Sequence, residues 1–314
     1  MRVTHSMLFN DALSDLNRLR TSMARTQEQA ASGRRINRPS DDPAGAGRVS
    51  VLETSIRSLE EYFRNIEGSR ARVAISETAV AEAGDLLLRA RELAISGANG
   101  TLDAGVRAQI AAEVESLHGA LLSAANTSFA GGHIFAGFES GTTPFVSTGV
   151  FSSPPPVSPV VSFAADSNEI QVDIEEGVRI SASFDGRRIF LGDADGDGLP
   201  DAGKDDVFAV VAGLRDALMQ NDPVAIADTL PRIDTVLDQL QTERTRIGAT
   251  ESRLLSAEQR VADRTLQVQS RLSEFRDADL AEVISTLVRE ENALRASLES
   301  MSRLLPPSLM DFLR

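Results

Sequence analysis

Two uninterrupted rows of apolar residues, each spaced by seven, constrain this chain more than any other feature. The first row is Leu52, Leu59, Ile66, Val73, Val80, Leu87 and Ala94; the second is Ile226, Ile233, Leu240, Ile247, Leu254, Val261, Val268 and Phe275. A helix turns once per 3.6 residues, so a sustained seven-residue repeat keeps one seam against a partner in a left-handed supercoil. From the rise per residue, each helix is roughly 75–80 Å long. The expected fold is mainly α and elongated: an antiparallel helical rod of coiled-coil type, built from both ends of the chain, with a small inserted β domain.

Shorter signals fill in the order of elements. A third helix is expected from Asp103 to Ser128, with Ile110, Val114, Leu117 and Leu121 on one face. The stretch from Gly97 to Thr101 supplies the turn before it, and Gly131-Gly132 ends it. A short fourth helix is expected from Asp206 to Met219. After it, Asn221-Asp222-Pro223 opens the second rod, with Asp222 as N-cap and proline at the first helical position. Both chain ends carry heptads in another register: Phe9, Leu16, Met23 and Ala30 at the front, Leu280, Leu287, Leu294 and Met301 at the back, with Ile284, Leu298 and Leu305 flanking. The front row is cut off between Ser32-Gly33 and Asp42-Pro43, and the rear row between Arg276 and Asp279, so the two breaks mirror each other. The expected domains are a terminal helical segment (1–40 with 280–314), a long rod (41–144 with 205–279) and a β insert (145–204).

The insert reads differently from the rest. A proline run follows Ser152-Ser153, then Ile170, Val172 and Ile174 alternate, as do Val178, Ile180, Ala182 and Phe184 across Glu175-Glu176-Gly177. Asp185-Gly186, a hairpin signal, precedes Ile189-Phe190-Leu191. Some sixty residues give a thin core, so the insert should lean on the rod or on a neighbour.

Composition narrows the function classes. The 314 residues include no Cys and three His (His5, His118, His133), which removes disulfides and thiolate chemistry and leaves little room for a histidine metal site. Acidic residues outnumber basic ones 46 to 32, against nucleic-acid binding. The charge is also segregated: residues 1–38 carry a net +4 and residues 165–206 a net −8. No apolar run spans a membrane, and Met1 to Leu13 lacks a signal-peptide core, so an uncleaved route is expected if the protein leaves the cell.

Asp193, Asp195, Asp197 and Asp201, with Gly198 between them, resemble the opening of a calcium loop, because alternating carboxylates and a turn-forming glycine wrap hard oxygens around one point. Lys204 stands where a bidentate Glu should close that loop, leaving Asp205 or Asp206 as substitutes. The alternative is a solvated acidic turn. No nucleotide-binding or nucleophile-elbow motif follows an expected strand, and His118 and His133 sit in contexts that packing explains, so the chain is read as no enzyme and no catalytic residue is assigned.

The run Ser32-Gly33-Arg34-Arg35-Ile36-Asn37, followed by Ser40-Asp41-Asp42-Pro43-Ala44-Gly45, resembles the N-terminal signature of the bacterial flagellin superfamily. Ser273 to Ala281, with Asn292-Ala293-Leu294, is similar to that family's C-terminal helix. The segment from Ile134 to Phe138, then Thr142 to Phe145, and the ending from Leu304 to Arg314 point, within the superfamily, to the subunits that join hook to filament.

The resemblance implies a structural part exported unfolded through the flagellar type III channel and assembled outside the cell. The partners it implies are hook-associated protein 1, flagellin, further copies of the chain in a ring, and an export chaperone on the C-terminal helix; nucleic acid, membrane and cofactors are not implied. It places an assembly interface on Phe9, Leu16, Met23, Leu280, Leu287, Leu294, Leu298, Met301 and Leu305, and a hinge at Arg34, Arg35, Asp41 and Asp42. Two other readings stay open: a minor flagellin forming the filament, and a calcium-dependent surface binding protein.

Overall fold

The computed structural model describes residues 5–152 and 157–304. Six α-helices carry the described residues: α1 (His5–Ser32), α2 (Pro43–Gly97), α3 (Ala104–Ala125), α4 (Val207–Met219), α5 (Pro223–Arg276) and α6 (Leu280–Leu304). Between α3 and α4 lie three antiparallel pairs of strands: β1 (Ser128–Phe129) with β2 (Gly132–His133), β3 (Phe145–Thr148) with β4 (Val160–Phe163), and β5 (Gln171–Glu175) with β6 (Val178–Ser181). The chain divides into two compact units, one of residues 1–59 and 263–314, the other of residues 60–262. The insert shares the larger unit with the helices around it.

In the larger unit the two apolar rows form the core. Ile66, Val73, Val80, Leu87 and Ala94 are fully buried on α2, as are Ile226, Ile233, Ile247 and Leu254 on α5. Each of the Val, Leu and Ile side chains contributes ~1.5–3 kcal/mol over its exposed state. Ion pairs flank the seam at Arg70–Glu258 (2.6 Å), Glu77–Arg244 (2.6 Å) and Arg91–Asp234 (2.7 Å), so rising numbers on α2 meet falling numbers on α5. The pairing is antiparallel. Helix starts follow the expected chemistry: Asp103 accepts the Val106 N–H, Asp206 those of Phe208 and Ala209, and Asp222 those of Val224 and Ala225.

The insert is anchored to these helices. Asn65 on α2 donates to the Asp173 carbonyl at 3.0 Å, while Arg246 and Arg260 on α5 pair with Glu169 and Glu175. Its core is a ring cluster that the periodicity did not reveal: Phe135, Phe145, Phe190 and Phe208 are all fully buried, Phe135 meets Phe190 at 5.3 Å, and Phe145 meets Phe190 and Phe208 at 5.3 and 5.5 Å.

One local expectation is corrected. No strand follows Asp185-Gly186; Arg187–Leu191 form a single π-helical turn. Gly186 is there for proximity rather than for a hairpin, because a Cβ on it would stand 2.7 Å from the Phe135 Cβ and 2.9 Å from the Phe135 carbonyl oxygen.

In the smaller unit α1 packs against α6. Leu16 and Thr26 are buried on α1, with Leu19, Met23 and Ala30 half-buried; Val283 is buried on α6, with Leu287, Leu294 and Met301 half-buried. Ser22 donates its hydroxyl to Glu290 at 2.5 Å across this seam.

Candidate assembly surfaces

The residues expected to assemble fall on two different faces. Leu16, Met23, Leu287, Leu294 and Met301 belong to the seam between α1 and α6 of the same chain. Leu280 and Leu298 do not: they are 49% and 45% exposed; Leu280 forms an apolar stripe on another face of α6 with Ile284 (55%) and Val288 (51%), and Leu298 lies further along that face beyond Glu291 and Arg295. The seam begins at Val283, three residues later than the seven-residue count from Leu287 suggested. The side chain of Phe9 and all of Leu305 lie outside the described residues.

The four expected hinge residues come together. The break after α1 and the break after α5 lie side by side as an antiparallel bridge between Arg34 and Asp277. Arg35 donates its backbone N–H to the Arg276 carbonyl at 2.7 Å and its guanidinium to the Phe275 carbonyl at 2.8 Å, and it pairs with Asp42 at 3.4 Å. Asp41 accepts the N–H groups of Asn37 (3.2 Å) and Arg38 (2.8 Å), which closes the turn. Asp42 accepts the Gly45 N–H at 2.9 Å and so starts α2; that bond, and secondarily Arg35, holds its carboxyl below the usual range. On the rear side Asp279 starts α6 by accepting from Ala281 and Glu282. Sequence reading missed Gln29 and Phe275: Gln29 donates to the Arg35 carbonyl, and the Phe275 ring carries the Arg48 guanidinium 5.3 Å from its centre.

In the acidic loop, carboxylate oxygens of Asp193, Asp195 and Asp197 lie within 4.8 Å of one another. Other demands occupy them. Asp193 is buried, accepts the N–H groups of Gly196 (2.6 Å) and Gly198 (3.0 Å), and has Arg187 at 3.8 Å. Asp201 accepts the Ala194 N–H at 3.1 Å, Asp205 is paired with Arg232 at 2.6 Å, and Asp206 caps α4. Calcium takes six to eight oxygens; the three carboxylates supply part of such a set while also accepting the N–H groups that shape the loop. The geometry fits a loop folded around Arg187.

The histidines form no catalytic pair among the described side chains. His118 is buried, its ring edge-on to Phe151 at 5.1 Å and to Phe208 at 5.9 Å, and burial lowers its pKa. His133 Nδ1 lies 2.8 Å from the Asn126 carbonyl.

Two family models match, together covering more than two thirds of the chain: the bacterial flagellin N-terminal helical region over residues 3–140 and the bacterial flagellin C-terminal helical region over residues 230–313. This chain belongs to the bacterial flagellin family. Among curated relatives, flagellar hook-associated protein 3 of Escherichia coli strain K12 is 24% identical over 321 residues, spanning 96% of each chain. Flagellar hook-associated protein 3 of Salmonella typhimurium strain LT2 is 25% identical over 326 residues, spanning 100% of each. In fold, this flagellin-family chain is similar to a putative flagellar hook-associated protein from Vibrio parahaemolyticus (TM-score 0.64, 20% identity, 76% of this chain and 100% of that one). It is also similar to flagellar hook-associated protein 3 from Legionella pneumophila (TM-score 0.60, 15% identity, 72% and 98%).

Proposed function

We propose that this protein is a structural, non-enzymatic subunit of the bacterial flagellum that joins the hook to the filament. The observation that carries the reading is the end-to-end match to the two enterobacterial hook-associated proteins 3, which takes in the insert as well as the helical ends. Its neighbours in the axial structure are hook-associated protein 1 on the hook side, flagellin on the filament side, and further copies of itself. The exposed stripe of Leu280, Ile284 and Val288, with Leu298 further along the same face, is the natural contact for neighbouring helices, since apolar helix faces left open are covered on association. Before export the same stripe suits a chaperone. The protein works outside the cell, at the flagellum.

Immunogold labelling of intact flagella with antibody against residues 145–204 tests this. A narrow band of gold between hook and filament is the expected result. Gold along the filament would make the protein a filament subunit, and absence of gold from flagella that contain the protein by denatured blot would mean that the insert is covered in the assembly.

A further inference from the structure

The turn between α2 and α3 holds the only Asn-Gly pair of the sequence, Asn99-Gly100. The Asn99 side-chain oxygen accepts two hydrogen bonds from Thr101, one from its backbone N–H at 3.1 Å and one from its hydroxyl at 2.9 Å. The Gly100 N–H donates no hydrogen bond among the described residues, and nothing lies within 4 Å of where a Cβ would stand on Gly100. Under the turn, Arg107 is 3% exposed and bonded only to neutral acceptors: the carbonyls of Gly97 and Leu102, the Asn221 side chain and, at 2.8 Å, the main-chain carbonyl of Asn99.

We propose that Asn99 is a self-modification site, which loses its amide and is steered by Arg107 toward the isoaspartyl form. The Gly100 nitrogen gives its proton to hydroxide and attacks the Asn99 Cγ. The amide oxygen becomes an oxyanion, and the two Thr101 donors already sit on it. Collapse breaks the Cγ–Nδ2 bond, Nδ2 takes a proton from water, and ammonia leaves behind a five-membered succinimide. Water then opens the ring. Addition at Cγ gives aspartate. Addition at the α-carbonyl breaks its bond to the Gly100 nitrogen, frees the α-carboxylate and routes the chain through Cγ as isoaspartate. In either branch one water is consumed and one ammonia released, with no change of oxidation state.

The α-carbonyl oxygen is the atom that Arg107 holds. The guanidinium polarises that carbonyl for attack, then pairs with the carboxylate it becomes. A buried cation with only neutral acceptors thereby gains a counter-ion.

The test uses the purified full chain in mildly alkaline buffer, followed by peptide mass spectrometry with a fragmentation method that separates isoaspartate from aspartate. Asn99 should convert ahead of the exposed Asn168 and Asn292, and its isoaspartyl share should exceed that of the same chain unfolded in urea. Thr101→Ser should keep the rate. Thr101→Val should slow it about tenfold, a smaller loss than for an enzyme's oxyanion donor because this turn is exposed to water. Conversion of Thr101→Val at the parent rate, or of Asn99 no faster than Asn168, would overturn the site. An isoaspartyl share unchanged by folding would overturn the role of Arg107.

Discussion

The Gly33 carbonyl accepts the backbone N–H of Ala278 at 2.9 Å, so the residue just after α1 is tied directly to the residue two before the start of α6. The two breaks differ in length, residues 33–42 against 277–279, yet the chain crosses both as one short antiparallel bridge. Gly33 reaches this geometry with φ of 69°, and a Cβ there would meet nothing. Gly33→Ala should therefore cost the backbone term alone, about 1–2 kcal/mol. Gly45→Ala should cost more, since its Cβ would stand 2.6 Å from the Ile36 Cδ1 and against the Asp42 carboxylate. Amide exchange at Arg35 and Ala278 would read both, with faster exchange in the second variant.

The two faces of α6 predict different failures. Leu294 lies in the seam with α1, so Leu294→Asp should loosen the pairing, at a cost of ~1–3 kcal/mol to the smaller unit. Ile284 is 55% exposed, so Ile284→Asp should leave that pairing intact and still abolish incorporation into flagella. Amide exchange of α1 and α6 together with a motility assay separates the two. A motile Ile284→Asp strain would remove the stripe from the assembly contact.

The helical plan was legible because its signals are periodic or local. The rows from Leu59 to Ala94 and from Ile226 to Val261 are the buried seam, and Asp103, Asp206 and Asp222 cap the helices they precede. What escaped has neither property. Phe135, Phe145, Phe190 and Phe208 converge from four separated stretches, and no spacing announces that meeting. Arg107 was unreadable because three of its partners are main-chain carbonyls, which every residue has, and the fourth is the side chain of the distant Asn221. The acids of the acidic loop are visible in sequence, whereas Arg187, which folds against Asp193, stands outside the motif. Leu280 and Val283 exchanged roles because the seam restarts from the cap at Asp279, not from the count carried back from Leu287.

If the acidic loop is organised by Arg187, millimolar calcium should leave the melting temperature unchanged and produce no binding heat. Asp193→Ala should instead destabilise the larger unit by about 1–3 kcal/mol, because the Gly196 and Gly198 N–H groups lose their acceptor and the Arg187 cation its neighbour. A calcium-dependent rise in melting temperature that Asp193→Ala removes would restore the metal reading.

Two groups in the larger unit, the half-buried Asp206 and the buried His118, should give acid titration opposite signs. Burial is the main cause that pushes the Asp206 carboxyl up to about 6, against the pull of its bonds to Ala209 and Phe208. The folded chain thus holds that proton more tightly than the unfolded chain, whose ordinary value is 3.8. Its contribution to stability is present below that ordinary value and is lost as pH rises through about 6, a swing of about 3 kcal/mol. His118 works the other way: burial lowers its pKa, so its contribution is present above the ordinary 6.5 and is lost as pH falls through the folded value. Asp206→Asn keeps an N-cap and removes the first titration. Its denaturant stability should fall more steeply on acidification than that of the parent. His118→Phe should do the reverse, flattening the acid loss while keeping the ring contacts to Phe151 and Phe208. Parallel stability–pH curves for both variants and the parent would show that neither group titrates with folding.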